Sequence, residues 1–126
     1  MIRRVPGQSP AFAGAVAAAG LVFTSGLVSP AVLAGEPRAL GEQAADVFEL
    51  LRHTLAEHGC VLGDVVALTA FLACEAEPST WDSAFTVAFP ADPPARTTVT
   101  CGFVVPGVSL EISAIAAVTR RGVEFP

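Results

Sequence analysis

Few side chains in this chain could do chemistry, and two stand out: Arg96 and Glu111. Each interrupts a run of small and β-branched residues, Arg96-Thr97-Thr98-Val99-Thr100 in one case and Leu110-Glu111-Ile112-Ser113-Ala114 in the other. Such runs read as strands. Between them Pro106-Gly107 is a strong hairpin signal, and a two-residue loop there would pair Val105 with Val108. That register groups Leu110, Ile112, Ala114 and Ala116 with Val99, Cys101 and Phe103 on an apolar face suited to helices. Arg96, Thr98, Thr100 and Gly102 then share the opposite face with Glu111 and Ser113. An arginine and a carboxylate on one small, uncharged strand face are either an ion pair tying strands or subunits together or the polar part of a small-molecule site. Paired this way, the two stand six residues apart along the ladder, which at about 3.3 Å per residue is on the order of 20 Å.

The other candidates are weaker. His53 has Glu49 one turn behind it on a helix pattern, an ordinary surface pair, and His58 has no stronger claim to catalysis. Cys60, Cys74 and Cys101 form no CxxC, cannot all pair, and find only two histidines beside them. No metal and no other cofactor is expected from that set. The cysteines read as free thiols of a reducing, cytoplasmic compartment. A net charge of −5 speaks against nucleic acid as a partner, because backbone phosphates are held by clustered positive charge.

The elements that must position Arg96 and Glu111 follow from periodicity. Leu40, Ala44, Val47, Leu51 and Leu55 recur at helical spacing, and Gly59 closes that helix. Pro78 to Phe89 reads as a second helix with Trp81, Phe85, Ala88 and Phe89 on its core side. From Asp64 to Cys74 both alternate sets are mostly apolar, as in a strand covered on both faces. Phe12 to Ala17 and Leu21 to Thr24 are short strands. Arg3 and Arg4 precede a largely apolar stretch from Ala11 to Ala34, but Pro6, Pro10 and Pro30 break it up. It reads neither as a secretion signal nor as a membrane span. With 126 residues, residues 1–126 form one α+β domain. Hydrophobic residues make up 52% and charged residues 15%, so part of the apolar surface is expected to meet other subunits.

Pro94-Ala95-Arg96-Thr97-Thr98-Val99 and Leu110-Glu111-Ile112-Ser113-Ala114-Ile115-Ala116, with Phe23-Thr24-Ser25-Gly26 and Gly63-Asp64-Val65-Val66 in the same order, resemble the Rid (YjgF) family of reactive-intermediate deaminases. The resemblance implies a chorismate-mutase-like mixed sheet with two helices packed on one face, three subunits closing a barrel, and sites in the clefts between subunits. It also implies hydrolysis of enamines and imines of the 2-aminoacrylate type to 2-keto acids and ammonia. Arg96 matches the arginine that grips the substrate carboxylate, for which a planar donor fork is suited and a lysine is not. Glu111 matches the glutamate that holds or activates water. Ser25 and Gly26 match the turn that lines the cleft, and Phe12, Asp82 and Thr98 fall among the substrate-binding positions.

Three residues depart from the family pattern: Phe12 stands in place of a tyrosine, Asp82 in place of an asparagine, and Leu27 in place of a glutamine. Two other readings of the cleft follow. One is a pathway-specific enzyme acting on another small carboxylate or imine, and the other is a non-catalytic module that binds small carboxylates. If Arg96 and Glu111 serve one substrate, their expected separation requires that they come from neighbouring subunits of a homotrimer.

Overall fold

The computed structural model describes residues 1–119; the end of the expected 1–126 domain, residues 120–126, lies outside the described residues. Six strands form one mixed sheet. They are β1 (Arg3–Ser9), β2 (Phe12–Ala18), β3 (Leu21–Thr24), β4 (Val65–Ala73), β5 (Ala95–Cys101) and β6 (Leu110–Ala117), in the spatial order β1-β2-β3-β6-β4-β5. Helices α2 (Leu40–Ala56) and α3 (Pro78–Ala88) pack on one face of it, and α1 (Pro30–Leu33) is a single turn.

Helix α2 forms where the apolar spacing predicts it, burying Ala44, Val47, Phe48, Leu51 and Leu55. The Glu42 carboxylate accepts from the Ala39 amide at 2.9 Å, satisfying one orphan donor of its first turn. Gly59 ends it at φ +72°, a conformation costly for any residue with a Cβ. Helix α3 starts with Pro78 in its first turn, where the missing amide costs nothing. Phe48 of α2 stacks on Trp81 of α3 with ring centroids 5.7 Å apart, and Phe85 and Phe89 complete the aromatic cluster.

The sheet meets this layer through Leu68, Ala70 and Leu72 of β4 and Leu110, Ile112, Ala114 and Ala116 of β6. Among the described residues neither α2 nor α3 covers its other face, where Phe23 and Val99 are each 41% exposed. Phe71 and Ile115 stand on the same side, half-buried.

Three expectations need correction. The strands at 95–101 and 110–117 do not form a hairpin: β4 lies between them, parallel to β5 and antiparallel to β6. Pro106 and Gly107 belong instead to a connection that crosses the end of β4. Pairing of Leu68 with Arg96 and of Ala70 with Thr98 turns Arg96, Thr98 and Thr100 toward the helix side, while Val99 and Cys101 face the uncovered side. Cys101 is therefore half-buried rather than a core residue. His58 is buried, and neither ring nitrogen has a hydrogen-bond partner among the described residues. Two further elements gave no signal in the spacing. β1, a sheet-edge strand, carries Pro6 beside a register shift, as proline requires, and α1 has Ser29 as its cap before Pro30.

Candidate functional site

Glu111 stands on β6, with β3 and β4 on either side, paired with Phe71 and facing the uncovered side of the sheet. After β3 the chain stays beside β6. The Leu27 amide donates to the Ile112 carbonyl at 2.7 Å, and the Ile112 amide donates back to the Leu27 carbonyl at 3.1 Å. This bridge brings Gly26 against Glu111 so closely that a Cβ on Gly26 would overlap the Glu111 carboxylate. Ser25 is fixed by its hydroxyl, which donates to the Ala13 carbonyl at 2.6 Å, and by its amide, which donates to the Gly14 carbonyl at 2.9 Å. Phe12, half exposed, enters from the start of β2.

These four residues border one cavity of about 530 Å³, completed by Gln8, Leu33 and Val105. A second cavity of about 260 Å³, lined by Phe71, Cys101 and Phe103, shares Glu111 with it. The first is held from behind by side chains that the sequence did not single out. Gln8 Nε2 donates to the Val28 carbonyl at 2.8 Å, and the Val28 amide donates to Gln8 Oε1 at 3.3 Å. The Ser29 hydroxyl donates to Asp46 Oδ2 at 2.6 Å, and Arg38 donates to both carboxylate oxygens of Asp46. Desolvation pushes the Asp46 pKa up, but the bonds from Ser29 and Arg38 outweigh it and hold the carboxyl below its usual range. Leu27 is 2% exposed and packs in the core, so this departure does not reach the cavity.

Arg96 belongs to a separate cluster at the far edge of the sheet. Its Nη1 donates to Asp82 Oδ1 at 3.0 Å, and its guanidinium carbon lies 4.8 Å from the centre of the Phe85 ring. The Trp81 indole donates to the Thr98 hydroxyl at 3.2 Å. Asp82, Trp81 and Phe85 all come from α3, at positions one and three residues beyond one another on its first two turns. The cation–ring contact had a signal in the helical spacing of Trp81 and Phe85, but only the parallel pairing of β5 shows that Arg96 lies over that stripe.

Of the expected site residues, the structure thus brings Phe12, Ser25, Gly26 and Glu111 together, and separately Asp82, Arg96 and Thr98. It does not join the two groups. Arg96 and Glu111 lie on opposite faces, two strands apart and three residue positions apart along β4. With about 3.3 Å per residue and about 4.8 Å per strand, their backbones stand roughly 14 Å apart. The expected shared face is wrong: within one chain the two side chains point away from each other across the sheet. Among the described residues no cluster of histidine, cysteine, aspartate or glutamate side chains has the arrangement of a metal site, and no helix is long and apolar enough to cross a membrane.

A sequence model of the endoribonuclease L-PSP family matches residues 3–118. Among solved structures, a YjgF-family protein from Neisseria meningitidis superposes with a TM-score of 0.82 at 27% identity, covering 93% of this chain and 94% of the other. A putative endoribonuclease from Thermotoga maritima gives 0.77 at 28% identity over 87% of each chain. RidA from an Antarctic Psychrobacter gives 0.76 at 25% identity, over 84% of this chain and 87% of the other.

Proposed function

The chain belongs to the endoribonuclease L-PSP (YjgF/Rid) family, and from that premise we propose that it is a hydrolytic deaminase of small enamine and imine intermediates, working as a homotrimer in the cytoplasm. The observation that carries this reading is the division of the polar residues into two clusters, each holding what the other lacks. One offers a guanidinium fork with free donors, the other a carboxylate at the border of a cavity. Subunits meeting through the uncovered sheet face would bury Phe23, Phe71, Val99 and Ile115, and if the β5 edge of one copy also lay along that interface, the Arg96 cluster at that edge would come against the Glu111 cavity of the next.

In such a cleft Arg96 holds the substrate carboxylate through parallel hydrogen bonds. 2-Aminoacrylate tautomerises to its imine, and Glu111 takes a proton from water as the oxygen adds to the imine carbon. The proton passes on to the nitrogen to give a carbinolamine, whose hydroxyl then yields its proton, by way of Glu111, to the amino group as the C–N bond breaks, so that ammonia leaves and a 2-keto acid remains. Ser25 and Gly26 shape the cavity floor, Phe12 supplies an apolar wall, and Thr98 buttresses the Arg96 side. The family description names RNA cleavage, but a net charge of −5 and one arginine already paired with a carboxylate suit a small anion or zwitterion better than a phosphate chain.

The test is to add the protein to a serine or threonine dehydratase reaction and follow release of ammonia and keto acid. Faster release is expected. No acceleration, with retained 2-ketobutyrate binding, would favour the non-catalytic binding module. Turnover of a different imine or carboxylate instead would favour the pathway-specific enzyme.

A further inference from the structure

We infer that Asp82 sets the charge class of the ligand, so that the Arg96 wall selects a zwitterion carrying a cationic nitrogen beside its carboxylate over a simple carboxylate anion. The inference rests on the proposed carboxylate site and adds to it a residue that reads the substrate's other charge.

Arg96 presents five N–H donors in a fixed plane, and one of them, on Nη1, is taken by Asp82 Oδ1. The Phe85 ring at 4.8 Å covers one face of that plane and fixes its orientation. Among the described residues, Nε and Nη2 of Arg96 and Oδ2 of Asp82 make no hydrogen bond, and the two side chains remain 33% and 57% exposed. An arriving ligand therefore meets unused donors and an unused anionic oxygen side by side. The pair is neutral in sum but dipolar, so a carboxylate that docks on the arginine must lie next to the Asp82 carboxylate.

A monoanion gains from Arg96 and loses to Asp82. A 2-iminium carboxylate brings its cationic nitrogen two bonds from the carboxylate carbon, so that it can offer N–H to Asp82 Oδ2 while Arg96 holds the carboxylate. The same contact favours the protonated imine, whose carbon is the better electrophile. It is lost when hydrolysis leaves an anionic 2-keto acid, so substrate is held in preference to product.

The experiment is calorimetric titration of the full chain and of Asp82→Asn with two stable probes of one carbon skeleton, zwitterionic 2-aminobutyrate and anionic 2-ketobutyrate. Asparagine keeps an oxygen for Arg96 Nη1 and puts a neutral NH2 in place of Oδ2, removing the charge and the unused acceptor together. The natural protein should bind 2-aminobutyrate more tightly than 2-ketobutyrate. Asp82→Asn should invert that order, tightening 2-ketobutyrate and weakening 2-aminobutyrate by about tenfold each. An unchanged affinity ratio in the two proteins would overturn the inference and leave the carboxylate site standing. Absence of binding by both probes to both proteins would overturn the carboxylate site, and the inference with it.

Discussion

The Glu111 wall is built from backbone and the Arg96 wall from side chains. Glu111 sits on a strand with neighbours on both sides, and the segment over it is tied down by the paired Leu27 and Ile112 bonds and by both polar groups of Ser25. Arg96 sits on β5, at the edge of the sheet, and is oriented by one carboxylate and one ring. Ladder bonds fix the backbone from which the Glu111 carboxylate projects, which suits the water-activating role proposed for it. A guanidinium held by side-chain contacts can adjust to its ligand, and its preference can be altered by a single substitution. One wall therefore resists change and the other invites it.

The largest effect expected is also the most direct attempt to break this division. Arg96→Ala and Glu111→Ala should each be inactive alone. Unfolded, mixed equally and refolded together, they should regain activity in about a quarter of the clefts, because each cleft draws its two walls independently. Mixed trimers, confirmed by native mass spectrometry, that stay as dead as their parents would show that the two walls do not form one site. Next in size is Arg96→Lys, which keeps the charge but loses the fork and its stacking on Phe85. Affinity for 2-ketobutyrate should fall about tenfold to a hundredfold, the range of a charged hydrogen bond worth about 1.5–3 kcal/mol, while the thermal midpoint stays in place. Unchanged affinity would make Arg96 a purely structural partner of Asp82.

How far each wall could be read from the chain follows the same contrast. Alternation along 110–117 placed Ile112 and Ala114 inward and Glu111 outward, because a strand with one buried face declares its register. For β5 the alternation misled. Its more apolar set, Val99 and Cys101, faces the uncovered side, and its polar set lies at the rim of the helix layer. Nothing local to 95–118 reveals that β4 inserts between the two strands, since that pairing is parallel and links positions far apart in sequence. Pro106-Gly107 gives the same local signal whether the chain turns back or crosses over, with Gly107 at φ +87°. The family resemblance named Arg96, Thr98 and Asp82 as site positions without showing that the first two meet α3. Gln8 had no signal at all: its role depends on reaching Val28 across the fold.

Gly26→Ala sharpens the comparison from the rigid side. Gly26 does not have a positive φ, so alanine meets no backbone strain there. The three atoms nearest to a Cβ there all belong to the Glu111 side chain. The added methyl should push the carboxylate aside and leave the ladder intact, lowering turnover by about tenfold while the melting midpoint moves by at most a few degrees. Binding of 2-ketobutyrate by the Arg96 wall should be little changed. Loss of folding instead of turnover would mean that the Glu111 position is not held by the backbone as argued.

The smallest effect concerns a buried group away from both walls, beside Arg3 at the start of β1. His58 is 7% exposed, and neither ring nitrogen is hydrogen-bonded among the described residues. Desolvation, reinforced by the Arg3 guanidinium on β1 and opposed by Glu57, holds its pKa below the ordinary value. The folded protein thus carries a neutral imidazole, whereas the unfolded chain takes up a proton near pH 6.5. Below that pH the unfolded state binds more protons, so stability is full above about pH 6.5 and falls as the pH drops toward the depressed folded value. Asp46, whose pKa is also lowered, begins to withdraw its contribution only below about pH 4, the ordinary carboxyl range. The melting temperature should therefore be level above pH 7, decline first as the pH falls below about 6.5, and decline again in stronger acid. His58→Leu should abolish the first decline and keep the second; parallel profiles for the two proteins would remove His58 from this role.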